Sequence, residues 1–397
     1  MNAGTLRLQG TVSTPLITDN FLTAGNPTTG DLNFNLANRQ AGTAALQNWT
    51  PAGNTQTGNP TVVTQPFGVD ANYLLLAFGA SATLGGLPLS TTNVPGPLKV
   101  NFDVFKGNSG NATEWTSFTM TNTAGTGFPI TGSGQFGFLY RKNTGIQIFN
   151  NGGVIENLGS TAGGDSFGFY LADSAGTGSP FAGNGTRLVV TQGGSVLGSY
   201  ALDTGMAANT FITFGSAGGM IGGVDNLSVS PVMLQTNVLN PLIPVTLTTA
   251  GAVLKLEDVD QTVASLSGVG GTAVNMLPFS KLTVSGTTST AFNGTITGPL
   301  GSSLTKAGPS VLELGAANSY TGGTTISGGT IIAHNAAALG IGAVSIAAGA
   351  NHLPWFNTST PVITNNFTLN GLGGNPGDGN KGAIYADGGA AGMRITC

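Results

Sequence analysis

The residues that could support chemistry are few, and most of them fall in the first half of the chain. Its carboxylates include Asp103, Glu114, Glu156, Asp165 and Asp173. Glycoside hydrolysis needs two carboxyl groups that face each other across a cleft, roughly 5–9 Å apart. Nothing in the spacing of these five acids brings a pair together, so the sequence favours a protein that is not an enzyme.

Flat aromatic side chains beside polar residues are the second candidate chemistry, because such rings can stack on sugars. Trp115, Tyr140 and Tyr170 lie in this half, and Asp165 and Asp173 flank the segment that contains Tyr170. We predict that these five residues form a ligand-binding site, with Asp165 and Asp173 as the metal ligands. No cofactor is expected, and calcium is the one metal that such oxygen ligands would suit. The alternative is that the rings are core, since aromatic residues dominate buried surface.

Three further patterns favour structure over chemistry. Residues 132–137 match G-x-G-x-x-G, but a strand follows them where a dinucleotide site needs the start of a helix. Residues 257–260, EDVD, lack the glycine and the twelfth-position acid of an EF-hand loop. The two histidines, His334 and His352, have no partner at metal-ligand spacing.

The composition predicts strands and turns. Only 7 % of the 397 residues are charged, against roughly 25 % in an ordinary domain, whereas 40 % are hydrophobic and 65 are glycine. Glycine disfavours helix interiors, and the residues that coat exposed helices are scarce. The net charge of −4, without a basic patch, predicts no binding to nucleic acid. The single cysteine, Cys397, provides no disulfide.

Short alternating segments separated by glycine-rich turns fill residues 1–232. In residues 98–105, LKVNFDVF, every second side chain is apolar, which is typical of a half-buried strand. The series predicts an antiparallel β-sandwich, and it resembles the concanavalin-like and laminin-G-like jelly rolls. Residues 224–229 resemble the last strand of these jelly rolls. Residues 1–12 are set apart as a remnant strand that resembles a solenoid coil. Residues 231–246 contain three prolines, and residues 233–246 are predicted to be a linker.

From residue 247 to 397 the pattern changes to three-residue apolar-polar-apolar segments, each followed by a glycine-rich turn. Strands this short cannot form an independent meander, but they can stack as the coils of a solenoid and bury their apolar side chains between coils. The prediction is a right-handed parallel β-helix, truncated at its C-terminus. The predicted fold class is therefore all-β, with a jelly roll followed by a β-helix.

One segment of this half, residues 304–332, is the most specific signal in the chain. It resembles the autotransporter-associated β-strand repeat, and residues 336–346 resemble the continuation of that repeat. Residues 316–318 and 330–332 depart conservatively from the pattern. The residues that carry the resemblance are Leu304, Lys306, Gly308, Leu312, Leu314, Asn318, Tyr320, Gly322, Gly323, Thr324 and Gly329.

The resemblance implies an exported, non-catalytic passenger or adhesin module at the bacterial surface. In that interpretation the β-helix is a stalk that presents a lectin-like sandwich to extracellular polysaccharide or to another cell. It also implies an outer-membrane translocator or anchor, and a signal segment, on sequence outside this chain. Two alternatives stay open: a fragment of a polysaccharide lyase or glycoside hydrolase, and a purely structural surface-layer or sheath protein.

Overall fold

In the computed structural model of the protein, the described residues are 4–10, 14–19, 21, 49–56, 74–85, 89–106, 115–121, 136–141, 145–158, 166–183, 185–202, 206, 211–216, 221–347, 354–356, 363–370 and 385–386. Every regular element in these ranges is a β-strand, and none of the ranges holds a helix that is long and apolar enough to cross a membrane. The chain divides into two compact units. One is Ser13–Val232, and the other joins Met1–Val12 to Met233–Cys397.

The unit Ser13–Val232 is an antiparallel β-sandwich of jelly-roll type, which confirms the predicted fold class. Its strands, which follow β1 (Gly4–Gln9) in the chain, are β2 (Ile17–Asp19), β3 (Trp49–Gln56), β4 (Leu74–Leu84), β5 (Leu98–Lys106), β6 (Trp115–Thr121), β7 (Phe136–Arg141), β8 (Gly145–Asn150), β9 (Gly153–Asn157), β10 (Ser166–Asp173), β11 (Thr186–Gln192), β12 (Ser195–Leu202), β13 (Phe211–Ser216) and β14 (Ile221–Pro231). They hydrogen-bond in the order β12-β11-β10-β5-β14-β4-β13-β6-β7-β8-β9, with β2 on β14 and β3 on β4.

Ring contacts show that this sheet folds over on itself. Five strands separate β10 from β7 in the hydrogen-bonded order, which in a flat sheet would place them roughly 25–30 Å apart. The rings of Phe169 on β10 and Phe138 on β7 are nevertheless 5.4 Å apart, and those of Phe102 on β5 and Phe118 on β6 are 4.8 Å apart. The two halves of the sheet therefore pack face to face around one aromatic core.

The second unit is a parallel β-solenoid of about six turns. Its strands are β1 and then β15 (Gln235–Thr236), β16 (Pro244–Leu247), β17 (Ala252–Glu257), β18 (Val259–Val263), β19 (Ser265–Gly268), β20 (Ala273–Met276), β21 (Lys281–Val284), β22 (Thr290–Phe292), β23 (Thr295–Thr297), β24 (Ser303–Lys306), β25 (Val311–Leu314), β26 (Thr324–Ile326), β27 (Thr330–Ala333), β28 (Val344–Ile346), β29 (Pro354–Phe356), β30 (Phe367–Leu369) and β31 (Tyr385–Ala386).

Three parallel sheets form the sides of the solenoid. Sheet 1 contains β1, β17, β20 and β23, sheet 2 runs β15-β18-β21-β24-β26-β28-β30, and sheet 3 runs β16-β19-β22-β25-β27-β29-β31. Successive coils pair in register, so equivalent side chains form columns along the solenoid. The inward column Leu254, Val274 and Ile296 in sheet 1 is fully buried, as the apolar-polar-apolar segments predict.

The two unit boundaries differ from the predicted ones. Residues 1–12, assigned by the prediction to the sandwich as a remnant strand, belong with the solenoid, because β1 pairs in parallel with β17 from Gly4↔Ala252 to Gln9↔Glu257. The predicted linker, residues 233–246, holds β15 and most of β16. Val245 and Leu247 are buried in the solenoid core, so this segment completes the first coil instead of connecting two domains.

Candidate functional site

Two of the three aromatic residues of the predicted ligand site are buried. Tyr140 is 2 % exposed, and its ring lies 5.2 Å from that of Phe167 in the sandwich core. Tyr170 is 0 % exposed, and the Lys99 ammonium lies 4.8 Å from its ring centroid. Trp115 begins β6 and is partly exposed. Buried rings have no face for a sugar, so Tyr140 and Tyr170 are core residues, which was the alternative interpretation.

Asp173 holds its own turn together. Its Oδ1 accepts the N–H groups of Thr177 and Gly178, each at 2.9 Å, and a Cβ at residue 178 would lie within 3.0 Å of Oδ2. Burial raises the pKa of the Asp173 carboxyl, but the backbone N–H groups outweigh it, so its pKa lies below the ordinary value. Its proposed partner Asp165 lies outside the described residues. The calcium site therefore stays a prediction.

The remaining candidate acids and histidines have local partners. Asp103 accepts the Asn226 side-chain N–H at 2.8 Å, and Glu156 accepts the N–H of residue 157. His334 Nε2 lies 2.9 Å from Glu313 Oε2. Glu114 and His352 lie outside the described residues. In the part of the chain that the structure describes, no three or more His, Cys, Asp or Glu side chains gather where they could hold a metal.

The corner between β17 and β18 is where the chain leaves and re-enters the solenoid. Asp258 alone forms this corner in the second coil, with φ at +53°. In the first coil, the Gly10 N–H donates to Glu257 O at 2.8 Å, and the Gln235 N–H donates to Asp258 O at 2.9 Å. Since Gln9 pairs with Glu257 and Gln235 with Val259, Gly10 takes the place of Asp258. The sandwich is thus an insertion into one solenoid corner.

An ion pair fixes the strand before this insertion. Arg7 Nε donates to Glu257 Oε2 at 2.7 Å, and the Arg7 guanidinium also forms a salt bridge with the same oxygen. Glu257 is buried whereas Arg7 is half exposed, so the pair joins β1 to β17 with a partly desolvated carboxylate. Part of the acidic segment 257–260 is therefore structural.

The repeat motif forms the contact between solenoid coils. Leu304, Leu312 and Leu314 are fully buried and point inward on β24 and β25. They stack in register on the equivalent positions of neighbouring coils; Leu304, for example, lies between Leu282 and Thr324 in sheet 2. The leucines of the motif thus supply apolar area between coils.

Lys306 occupies an inward position in sheet 2, in a column between Val284 and Ile326. Its side chain is fully buried, and Nζ donates to Ala307 O at 2.6 Å and Gly308 O at 3.0 Å, with Gly328 O at 3.5 Å. Burial lowers the pKa of the Lys306 ammonium to about 8. The lysine therefore satisfies the carbonyl groups of two successive corners from inside the solenoid.

The motif glycines stand where a side chain would collide. Gly308, Gly323 and Gly329 all have positive φ, at +70°, +86° and +66°. A Cβ at residue 329 would come within 3.0 Å of Ser310 O, Gly308 O and Lys306 Nζ, and one at residue 323 would overlap Ala343 O. At Gly322 the collision alone applies, because a Cβ there would lie within 3.0 Å of the backbone carbonyl of residue 301. Both the backbone angle and the coil spacing require glycine at these corners.

Asn318 ends sheet 1. After β23 no further strand of this sheet occurs among the described residues. The Asn318 side chain instead accepts a backbone N–H of β23 that a next strand would have paired. Its Oδ1 accepts the Ile296 N–H at 2.7 Å from the coil before, and Nδ2 donates to Ala338 O at 2.6 Å in the coil after. Asn318 is buried, so one amide side chain links three successive coils.

Tyr320 fills the same side of the solenoid. It is fully buried, and its hydroxyl lies 2.6 Å from Thr324 Oγ1, which in turn donates to Leu339 O at 2.8 Å. Burial raises the pKa of the Tyr320 hydroxyl, and the bond to Thr324 opposes this rise. Gly340, at φ +73°, lies over the Tyr320 ring, where a Cβ would collide with the ring.

Sequence reasoning missed two structural sites. The Arg7–Glu257 pair and the insertion corner join residues that are far apart in the chain. A signal existed in the likeness of residues 5–8, TLRL, to residues 253–256, VLKL, which the structure pairs residue by residue. The internal position of Lys306 also had a signal, because alternation along a strand places it on the same face as Leu304, two residues before it.

A family model described as the Passenger-associated-transport-repeat matches residues 304–333. The match includes the leucines, Lys306, the glycines, Asn318 and Tyr320, all of which form coil-to-coil contacts. The match runs from β24 to β27 and so spans parts of two successive coils. No curated protein matches the sequence.

Among solved structures, the sandwich is similar to lectin-type domains. The carbohydrate recognition domain of Emp46p, in a point-mutant form, is 12 % identical, with 55 % of this chain and 98 % of that chain covered and a TM-score of 0.32. Lectin II from Ulex europaeus is 9 % identical, with 46 % of this chain and 92 % of that chain covered and a TM-score of 0.30. The receptor binding domain of botulinum neurotoxin mosaic serotype C/D is 11 % identical, with 55 % of this chain and 47 % of that chain covered and a TM-score of 0.31.

Proposed function

We propose that the chain is a non-catalytic passenger module of a bacterial surface or secreted protein, in which a β-solenoid carries an inserted β-sandwich. The match of residues 304–333 to the passenger-associated repeat supports export. The insertion of the sandwich at the corner of Gly10 and Gln235 supports presentation, because both chain crossings lie at one point and leave the solenoid core uninterrupted.

The observation that carries this proposal is that the repeat motif is used for coil stacking. Lys306, Asn318 and Tyr320 place their polar atoms on partners inside the solenoid or in adjacent coils. These polar groups of the motif therefore serve a stiff stalk and are not presented for catalysis. A stalk with few charges, in which most of the described strands are paired on both sides, would resist proteolysis outside a cell.

The sandwich is the proposed contact module. Its ligand stays a prediction: extracellular polysaccharide or a neighbouring cell surface. Because Tyr140 and Tyr170 are core residues, the binding surface would have to use other residues, and of the predicted aromatic residues Trp115 is the partly exposed one.

The test is surface display. The chain would be expressed between a secretion signal and an outer-membrane translocator, and intact cells would be probed with an antibody against the sandwich and then treated with protease. We expect labelling of intact cells and a protected fragment that spans residues 233–347. A matched chain with Asn318→Ala and Lys306→Ala tests whether the coil contacts are needed. Absence of labelling while the translocator is inserted would contradict the passenger proposal.

A further inference from the structure

The two outermost strands of the sandwich, β9 and β12, expose apolar side chains. They begin and end the hydrogen-bonded order, and each pairs with one strand among the described residues. Val154 and Ile155 on β9 are 46 % and 39 % exposed, and Val196 on β12 is 39 % exposed. β-Branched side chains favour strands, and an edge strand that carries them is a template for pairing with another chain. A sandwich that stays single therefore requires features that prevent such pairing.

A β-bulge interrupts each of these edges. The register of β9 on β8 and that of β12 on β11 both shift by one residue, with Ile155 as the extra residue on β9 and Leu197 as the extra residue on β12. A bulge increases the local twist and breaks the regular row of N–H and C=O groups that a further strand would use. Both edges are thus protected in part by their backbone.

The strand β9 also carries a charge on its inner face. Glu156 pairs with Ile148, which is fully buried in the sandwich core, so the Glu156 side chain leaves the strand on the core side of the sheet. Glu156 is partly exposed, and its Oε1 accepts the N–H of residue 157 at 3.0 Å. The carboxylate therefore lies at the margin of the core, where solvent still reaches it.

Tyr200 locates this carboxylate from the opposite strand. Tyr200 pairs with the buried Leu188 and so faces inward from β12. Burial, and after it the negative charge of Glu156, raise the pKa of the Tyr200 hydroxyl to about 12. β9 and β12 therefore face each other along one side of the sandwich, with the Glu156 carboxylate between the core and the solvent.

We infer that Glu156 prevents β9 from pairing with a strand of a second copy of the chain. An added strand would extend the inner face of the sheet past β9 and take the Glu156 carboxylate out of water, which is costly unless a cation pairs with it. Val154 and Ile155 by themselves would favour the contact, so the charge decides the outcome. This inference goes beyond the proposed function and depends neither on export nor on a ligand.

Removal of the charge in the full chain tests this inference. Glu156→Val gives β9 three adjacent β-branched apolar side chains and no charge, which is the composition of segments that associate edge to edge. Glu313→Val is the matched control, because Glu313 is also partly exposed in a strand, but β25 pairs with β22 on one side and with β27 on the other. Mass is measured by light scattering after size-exclusion chromatography over a range of concentrations, and circular dichroism checks the β content of each variant.

We expect the mean mass of Glu156→Val to rise by about twofold or more with concentration, while the wild type and Glu313→Val keep one common mass. Val154→Lys added to Glu156→Val should return the wild-type mass, because it places a charge on the same edge. If Glu156→Val loses β content, Glu156→Gln, which removes the charge and keeps the size, takes its place with the same expectation. A mass equal to that of the wild type, an equal rise in Glu313→Val, or association that Val154→Lys does not reverse would overturn the inference.

Discussion

Gly10 and Gln235 are neighbours in space at a single solenoid corner. Their N–H groups donate to the successive carbonyls of Glu257 and Asp258, and a Cβ on Gly10 would lie 3.1 Å from the Gln235 Cβ. In the next coil this corner is the single residue Asp258. At the other side of the insertion, the Leu16 N–H donates to Val229 O at 2.8 Å, so the sandwich also begins and ends at one place.

Removal of the sandwich is therefore expected to leave the solenoid intact. A chain in which Gly10 is joined directly to Gln235 keeps the register of β1 on β17 and of β15 on β18. We expect cooperative thermal unfolding of this deletion chain, followed by circular dichroism. In the control, Gln9 is joined to Gln235, which shortens the corner by one residue and should lower the melting temperature, because a one-residue slip reverses the faces of a strand. Equal melting temperatures would contradict the assigned corner.

Gly329→Ala tests the close packing of the motif corners. The new Cβ would collide with two carbonyl oxygens and Lys306 Nζ at a positive φ, so we expect a loss of about 3 kcal/mol or more in the free energy of unfolding. Gly270→Ala is the control, since a Cβ at residue 270 meets no atom within 4 Å. Urea unfolding measures both, and similar losses for the two variants would argue against the packing of this corner.

Lys306 is expected to make stability depend on alkaline pH. Its pKa of about 8 in the folded protein lies below the ordinary 10.5, so between these values the unfolded chain holds a proton that the folded chain has released. Stability therefore rises with pH across this window, and the penalty for the buried charge is fully present below pH 8.

Comparison with Lys306→Met isolates this effect. The free energy of unfolding of the wild type minus that of Lys306→Met should increase between pH 8 and 10.5, by an amount on the order of 2 kcal/mol. At pH 7 the variant is expected to be the less stable protein, because the carbonyls of Ala307 and Gly308 lose their donor. A difference that stays constant or falls with pH would show that Lys306 is not buried as a cation.

Asn318→Asp tests the link between three coils. The carboxylate can still accept the Ile296 N–H, but it has no hydrogen to donate to Ala338 O and places a charge in the interior. We expect a loss of about 2–4 kcal/mol at pH 7. Burial raises the pKa of such a carboxyl, so stability should be regained as pH falls and the protonated group donates again.

The control for this variant is Asn275→Asp. Asn275 is exposed and acts as an acceptor for Thr297 Oγ1, a role that a carboxylate keeps. Little change in unfolding free energy is expected there at any pH between about 4 and 7. If Asn318→Asp behaved in the same way, the amide of Asn318 would not join the coils.

Asp173 gives a prediction about calcium. Its Oδ1 already accepts two backbone N–H groups, so a calcium ion at this residue would bind through Oδ2. The predicted site requires that calcium raise the melting temperature and that a chelator reverse the rise. Asp173→Ala should lower stability by about 1 kcal/mol, whereas Asp173→Asn, which retains an acceptor oxygen, should lose less. The contribution of the carboxylate should fade as pH falls through its lowered pKa. A calcium-dependent rise in melting temperature that Asp173→Ala abolishes would support this residue as a metal ligand, and a melting temperature that calcium does not change would contradict the predicted site.

The sequence by itself determined the fold class, because its signals are local. Period-two alternation in residues 98–105 predicts a strand with one buried face, and Leu98, Val100, Phe102 and Val104 are all buried. The three-residue segments with glycine-rich turns leave only stacked coils as a way to bury their apolar side chains. The repeat of residues 304–332 carries both the strand positions and the corner glycines within one short window, so the family resemblance could be recognised before any contact was known.

Only the tertiary structure decided which distant residues meet. Whether Tyr170 contacts a ligand or the interior depends on what covers its strand, and Tyr170 is buried beside Lys99. The place of residues 1–12 depends on a pairing with β17 across the whole sandwich, which no local pattern encodes. The physical reason is the same in both cases: alternation fixes which residues share a face, whereas burial and pairing of that face are set by parts of the chain that lie far away in sequence.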